Sequence, residues 1–378
     1  MLSASLVISL ISENQLEGIV TGLHHITLVT SNQVVNNRFY TEVLGLRRVK
    51  LTVNQDDVLH RHIFYADEKG STGSAITFFE WPELPRGQVG LGSPHHIAYT
   101  APGVDSLVKW KSWLVSQGVS VTGPYSRDGR VSLYLSDPDG VTVEITTADP
   151  RDEITQEYLN EKERNPSSVS AISHDMRLVR FNHATPISND AKLTSLFFDK
   201  LLGLRNAIAK PNPDQEGTTI LEVGSDDRPD FMRYIVSEDA SLGFVGKGNV
   251  HHIAMAVEDD ESQIKIMRHL NDIGIQNSGV IDRFWFHSLY FRDPDGNLLE
   301  IATKGPGYAA DESPDKLGSK LVLPSWVEPQ RKEIENFLKE TDSKNSLTWP
   351  PKYPKVSTPP EALVVATKVA SSRGTASR

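Results

Sequence analysis

The tightest constraint on this chain is a spacing that occurs twice. His252, in the alternating apolar run Val250 to Val257, is followed after 48 residues by Glu300, in Leu298-Leu299-Glu300-Ile301. His96, in Pro94-His95-His96-Ile97-Ala98, is followed after the same 48 residues by Glu144, in Val143-Glu144-Ile145-Thr146-Thr147. Each carboxylate comes shortly after an Asp-Pro-Asp-Gly turn, at 137–140 and 293–296. These are turns rather than calcium loops, because the rest of an EF-hand is missing. Two further histidines extend the series. His25 lies in the strand-like run Leu23 to Val29 and His183 in Phe181 to Thr185, each 20 residues before a glycine, Gly45 or Gly203, that fits a helix C-terminus. The offset from His25 to His183 is 158 residues and from His96 to His252 it is 156. A duplicated metal-binding module accounts for these spacings most simply.

The flanking patterns predict an α+β chain of four βαβββ units in two tandem modules. In the first unit a helix runs through Asn36 to Tyr40 and closes at Val43-Leu44-Gly45-Leu46, and strands follow near Leu51 to Val53, His62 to Tyr65 and Ala75 to Phe79. The second unit, His95 to Thr147, carries Leu107, Trp110 and Leu114 at helical spacing. Units three and four open at Phe181 and His251. The expected organisation is a leader (1–20), an N-terminal module (21–148), a charged linker with some helix (149–178), a C-terminal module (179–304), an extension with a helix over Pro329 to Lys339 (305–340), and a disordered tail rich in Ser, Pro, Thr and Lys (341–378).

Composition removes several functions. The 378 residues include no cysteine, so thiolate nucleophiles, disulfides and zinc–thiolate sites are excluded, and a metal must be held by His, Asp or Glu. A formal charge of −10 without a basic stripe argues against nucleic acid as a partner. The Leu2 to Ile11 run falls well short of the roughly 20 residues a membrane span needs. It lacks the basic n-region and cleavage site of a signal peptide, so the expected location is cytoplasmic.

Four βαβββ units with strand-borne His and Glu resemble the vicinal oxygen chelate superfamily, which includes glyoxalase I and the extradiol dioxygenases. Within it, the stretches Val49 to Asp57, Phe64 to Ser71 and Thr77-Phe78-Phe79 look like the hydroquinone-type ring-cleaving dioxygenases of bacteria. So do Arg283 through Tyr290, Glu300 to Thr303, Gly305-Pro306-Gly307, Leu321 to Pro324 and Glu328 to Glu335. The likeness spans roughly residues 20 to 340.

On a strand successive side chains alternate faces, so one histidine of each pair points into the barrel. The resemblance implies that it is the second one. It also implies that the first strand of unit one joins unit four, with His25, His252 and Glu300 as a 2-His-1-carboxylate facial triad, the ligand set of non-haem Fe(II) oxygenases. Fe(II) is the expected cofactor, with Mn(II) also admissible. The implied partners are O2 and a small aromatic, a hydroquinone or catechol-like ring, whose opening the metal assists; a homo-oligomer is compatible with this. Arg283 and Tyr290, 17 and 10 residues before Glu300, match positions that assist substrate or oxygen, Arg283 as a phenolate partner. His24, His251 and Thr27 would support the ligands, and Thr27 would also meet the substrate.

The chain departs from that group in one respect: His96, Glu144 and His183 all persist, with Arg127 and Tyr134 again 17 and 10 residues before Glu144. They suggest a second metal site where units two and three meet. Rival readings remain. A catechol-type enzyme would pair His183, His252 and Glu300 inside one module. A glyoxalase-like isomerase or lyase needs a second carboxylate, for which Glu80 is the best candidate, although Phe78 or Phe79 suits the ligand position better. Some relatives bind aromatics and catalyse nothing.

Overall fold

A computed structural model describes residues 16–127, 130–147, 172–206, 209–212, 218–225, 228, 231–344 and 349–356. Unit one supplies β1 (Gly22–Thr30), a helix α1 (Gln33–Arg38) that runs into a wider turn over Phe39–Val43, then β2 (Arg47–Asn54), β3 (Asp57–Ala66) and β4 (Ala75–Glu80). Unit two supplies β5 (His96–Ala101), α2 (Val104–Ser116), β6 (Val121–Arg127), β7 (Arg130–Ser136) and β8 (Thr142–Thr147). Unit three runs β9 (Phe181–Thr185), β10 (Ile187–Ser188), α3 (Ala191–Leu202), β11 (Arg205–Asn206), β12 (Lys210–Pro211), β13 (Thr219–Gly224) and β14 (Met232–Val236). Unit four runs β15 (Val250–Val257), α4 (Asp260–Asp272), β16 (Asn277–Asp282), β17 (His287–Arg292) and β18 (Leu298–Thr303).

The sheets do not follow the modules. One has the order β16-β17-β18-β15-β1-β4-β3-β2 and joins unit four to unit one; the other, β11-β13-β14-β9-β5-β8-β7-β6, joins unit three to unit two. Each is a curled half-barrel whose centre is an antiparallel pair drawn from both modules: β1 with β15, and β9 with β5. This is the two-module vicinal-oxygen-chelate architecture. All nine residues of β1 are buried, as a central strand covered on both faces requires, whereas the edge strand β16 alternates between exposed and half-buried positions.

The two Asp-Pro-Asp-Gly turns fasten one sheet to the other. Asp137 accepts the backbone N–H of Asp139 and Val141 at 2.9 and 2.8 Å and the Tyr40 hydroxyl, from unit one, at 3.1 Å. Asp293 accepts the N–H of Asp295 and Asn297 at 3.0 and 2.8 Å and the Tyr234 hydroxyl, from unit three, at 2.8 Å. Desolvation, with Asp139 beside it, pushes the Asp137 carboxyl up to about 8. Helix caps follow the sequence: the Asn32 side chain accepts from the N–H of Val34 and Val35, and α3 ends on Gly203 at φ 63°. A Cβ at Gly203 would also meet the backbone of Leu16 and Glu17 at 2.7 Å.

The C-terminal extension wraps unit one. Lys50, fully buried, is paired with Asp311 and Glu312 at 2.7 and 2.6 Å. Helix α5 (Arg331–Lys344) lays Ile334 and Leu338 against Val53 and Leu323, and Arg61 reaches its Leu338 carbonyl and Asp342. The helix thus starts and ends later than Pro329 to Lys339. Residues 349–356, expected in the tail, lie against α1, where Arg38 stacks over Trp349 and Tyr353 meets Phe39. At the linker's end Ile172 and Met176 join the core and Trp110 Nε1 donates to the Met176 carbonyl at 2.8 Å. The leader through residue 15, linker residues 149–171 and tail residues 345–348 and 357–378 lie outside the described residues. Among the described residues no helix is long and apolar enough to cross a membrane.

Candidate metal centre

Three adjacent strands bring the first triad together. In the β1–β15 register His25 faces Ala254 and Thr27 faces His252; in the parallel β15–β18 register Ala254 lies beside Glu300. His25, His252 and Glu300 are 1 %, 3 % and 0 % exposed, so water does not neutralise them. The Glu300 Oε2 atom lies 3.0 Å from His252 Nε2 and 3.3 Å from His25 Nε2, and the two Nε2 atoms are 3.4 Å apart. The rival triad of His183, His252 and Glu300 is not assembled, because His183 belongs to the other sheet.

The histidine before each ligand sets its tautomer. His24 Nδ1 meets His25 Nδ1 at 2.9 Å, and His251 Nδ1 meets His252 Nδ1 at 2.7 Å. Burial, with the neighbouring imidazole second, pushes His24 and His251 down to about 3, so each is neutral beside its neighbour. The Nε2 atoms of His25 and His252 face Glu300. Burial alone would push Glu300 up, but the imidazoles of His25 and His252 hold it well below the usual carboxylate range. The Ser288 hydroxyl donates to Oε1 at 2.5 Å, while Oε2 faces the two imidazoles.

A buried carboxylate oxygen facing two imidazole nitrogens suits a cation. Bonds of roughly 2.1 Å set neighbouring donors roughly 3.0 Å apart on an octahedral face and roughly 3.4 Å apart in a tetrahedron. The observed 3.0 to 3.4 Å separations fall within that span, so the residues fit a divalent metal.

Beside the triad opens a cavity of about 380 Å³, inside the roughly 300–1,000 Å³ range of small-ligand pockets. Phe79, Trp81, Trp285 and Phe286 give it aromatic walls. Arg283 and Tyr290 line it as the sequence leads one to expect, with the guanidinium 5.5 Å above the Tyr290 ring and bound by two parallel contacts, 3.0 and 2.8 Å, to Asp56. Burial and the Glu300 charge push the Tyr290 phenol up, keeping it a donor. His251 also lines the cavity; His24 instead packs on Phe286.

Thr27 is fully buried with its hydroxyl 2.8 Å from that of Thr77, and it is not among the residues lining the cavity. The register that puts Ala254 beside Glu300 puts Thr27 beside Thr77. Thr77 therefore holds the ligand position of unit one, not Phe78 or Phe79. Glu80, the candidate second carboxylate of a glyoxalase, is engaged by Arg61 at 2.6 Å and by the Gln33 N–H at 2.9 Å. His62 was not among the expected site residues. It lines the cavity with Nε2 2.8 Å from the Thr77 hydroxyl, and burial holds its imidazole well below the ordinary histidine value. Its signal in the sequence is the alternation His60, His62, Phe64, which shares one face of β3.

The second cluster repeats the first. Glu144 Oε2 lies 3.0 Å from His96 Nε2 and 3.3 Å from His183 Nε2, and all three residues are 1 % exposed. His95 Nδ1 meets His96 Nδ1 at 3.0 Å, and the Asn182 side-chain oxygen accepts from His183 Nδ1 at 2.8 Å. Burial alone would push Glu144 up, but His183 and His96 hold it well below the usual range. Tyr134 is buried with its ring 5.9 Å from that of His96; the side chain of Arg127 lies outside the described residues.

Comparison with known proteins agrees with this geometry. The model of the Glyoxalase/Bleomycin resistance protein/Dioxygenase superfamily matches residues 22–145 and 180–301. A Bacillus subtilis protein named as the ring-cleaving dioxygenase MhqA is 34 % identical over 320 residues, covering 85 % of this chain and 98 % of its own. The chlorohydroquinone/hydroquinone 1,2-dioxygenase of Sphingobium indicum is 28 % identical over 327 residues, covering 85 % and 96 %. A crystal structure of a Bacillus subtilis protein named as a dioxygenase superposes with a TM-score of 0.73 at 30 % identity, over 84 % of this chain and 96 % of that one. Glyoxalase I from Zea mays, at 17 % identity and a TM-score of 0.54 over 75 % and 92 %, shares the fold. The chain belongs to the Glyoxalase/Bleomycin resistance protein/Dioxygenase superfamily and is an enzyme of its ring-cleaving dioxygenase group.

Proposed function

We propose that the chain opens the ring of a hydroquinone-type aromatic with O2, using Fe(II) held by His25, His252 and Glu300. The observation that carries this reading is the aromatic-walled cavity beside a buried 2-His-1-carboxylate cluster. The whole-length likeness to a relative named as a chlorohydroquinone/hydroquinone 1,2-dioxygenase supports it. When bound, the iron supplies a Lewis acid and a redox centre with coordination positions open beside the triad.

The protein supplies the rest. Phe79, Trp81 and Phe286 offer ring faces and edges that orient a flat substrate and exclude water. Arg283 brings a permanent positive charge to the cavity, suited to a phenolate, and Asp56 holds its guanidinium in one plane. The Tyr290 hydroxyl, kept protonated, donates a hydrogen bond to oxygen. His62, kept neutral, takes up the far hydroxyl of the ring. Atoms balance without a further reductant: one ring carbon–carbon bond breaks, and both atoms of O2 stay in the product.

Thr77 at the fourth ligand position weighs against glyoxalase-type isomerisation, which needs a carboxylate there. The test is oxygen uptake by apo-protein reconstituted anaerobically with Fe(II) or Mn(II) and given hydroquinone, methylhydroquinone or catechol. Consumption of one O2 per ring opened with Fe(II) and hydroquinones, lost in His252→Ala, is expected. A metal-loaded protein that consumes no O2 with any of them refutes the proposal.

A further inference from the structure

The structure carries a second, independent set of donors. We propose that His96, Glu144 and His183 form a second divalent-metal site, weaker than the first, so that the full chain takes up two ions. The proposal stands on the geometry of this cluster and does not rest on the ring-cleaving reading.

The two clusters share one register. Ala98 lies between His183 on β9 and Glu144 on β8 as Ala254 lies between His25 on β1 and Glu300 on β18. Their nitrogen-to-carboxylate distances are the same pair, 3.0 and 3.3 Å. The Asn182 oxygen can only accept from His183 Nδ1, and its amide nitrogen is directed to Thr100, so the His183 ring is held with Nε2 facing Glu144. Burying these groups costs free energy that packing would avoid, because apolar replacements of buried ionic groups are often neutral or stabilising. A cation offsets that cost. Two imidazoles and one carboxylate suit Mn(II), Fe(II), Co(II) or Zn(II).

Three differences make this site the weaker one. The Thr185 hydroxyl stands 3.1 Å from His96 Nε2, competing for that nitrogen, whereas its counterpart Thr27 is turned to Thr77. Ser132, the counterpart of Ser288, donates to Thr146 at 2.8 Å and not to the carboxylate. The register that sets Ala184 against Met232 and Ile187 against Ile235 puts Arg233 in the place of Thr77. Arg233 is paired with Glu222 at 3.3 Å, so a charged side chain stands in this register where the first site has the Thr77 hydroxyl. Loss of supporting contacts weakens metal sites on the order of 10–100-fold.

The experiment is Mn(II) titration of the full-length apo-protein, with free Mn(II) followed by its EPR signal and bound metal counted after gel filtration. Wild type should bind two ions in a tight and a weak phase. Glu300→Gln should lose the tight phase alone and Glu144→Gln the weak phase alone. Thr185→Val, which removes the competing hydroxyl, should tighten the weak phase and leave the tight one alone. Saturation of wild type at a single ion lost in Glu300→Gln overturns the proposal, as does a second ion that survives Glu144→Gln. If Glu144→Gln does not reproduce the wild-type far-UV circular dichroism, His183→Gln asks the same question with the same two answers. A weak ion lost in Glu144→Gln from a protein with no tight phase would sustain this site while removing the metal assigned to the first.

Discussion

Ser288→Ala isolates the contribution of one hydroxyl to the first metal centre. The Ser288 hydroxyl lies 2.5 Å from Glu300 Oε1, and both residues are fully buried. Alanine would leave that oxygen without a donor where water does not enter, and the carboxylate would be free to rotate away from the two imidazoles. A hydrogen bond to a charged group is worth about 1.5–3 kcal/mol. At about 1.4 kcal/mol per tenfold, that corresponds to a loss of roughly 10–100-fold in metal affinity, the range measured for contacts that support metal ligands. The assay is competition between apo-protein and a chelator for Mn(II), with circular dichroism confirming the fold. Ser132→Ala is the internal control: that hydroxyl serves Thr146, so its loss should leave the tight phase unchanged. Tight-phase affinity equal to wild type in Ser288→Ala, or equal losses in the two variants, would refute the reasoning.

Other substitutions probe the cavity and the turns. Arg283→Met should lower kcat/KM for hydroquinone on the order of 10²-fold while leaving the metal count intact; wild-type kcat/KM would remove Arg283 from the site. His62→Phe should lower kcat on the order of tenfold or more with Mn(II) affinity unchanged, and a parallel fall in both would make it a structural residue instead. Asp137 binds its proton more tightly folded, at about 8, than its ordinary value of 3.8, so its contribution to stability is full below 3.8 and is lost as pH rises toward 8. Within that window the contribution falls by about 1.4 kcal/mol per pH unit. Urea unfolding at pH 5 and 7 should show Asp137→Asn gaining on wild type with rising pH; a constant difference between the two proteins would rule this out.

The parts legible in the sequence were those that the chain writes at fixed intervals. His25, His96, His183 and His252 sit at matching positions of four first strands, and two glutamates sit 48 residues beyond the second and fourth. Spacing survives folding there because each turn before the glutamate is held by the same buried aspartate. What spacing does not carry is register between strands joined by loops of unequal length. Phe78 and Thr77 differ by one residue and therefore by one face, and only the pairing of Thr27 with Thr77 decides between them. His62 reaches the cavity because β3 lies two strands from β1, an order absent from local pattern. Trp349 packs on α1 more than 300 residues away in sequence, where no composition rule would place it.

The crossing of modules between sheets also sets an order of events during synthesis. The second cluster is complete as a sequence once His183 has been made, while the first spans β1 to β18 and waits for Glu300. A nascent chain that has exposed only its N-terminal module holds one of the three residues of the first cluster. The first cluster is thus assembled only when both halves have docked.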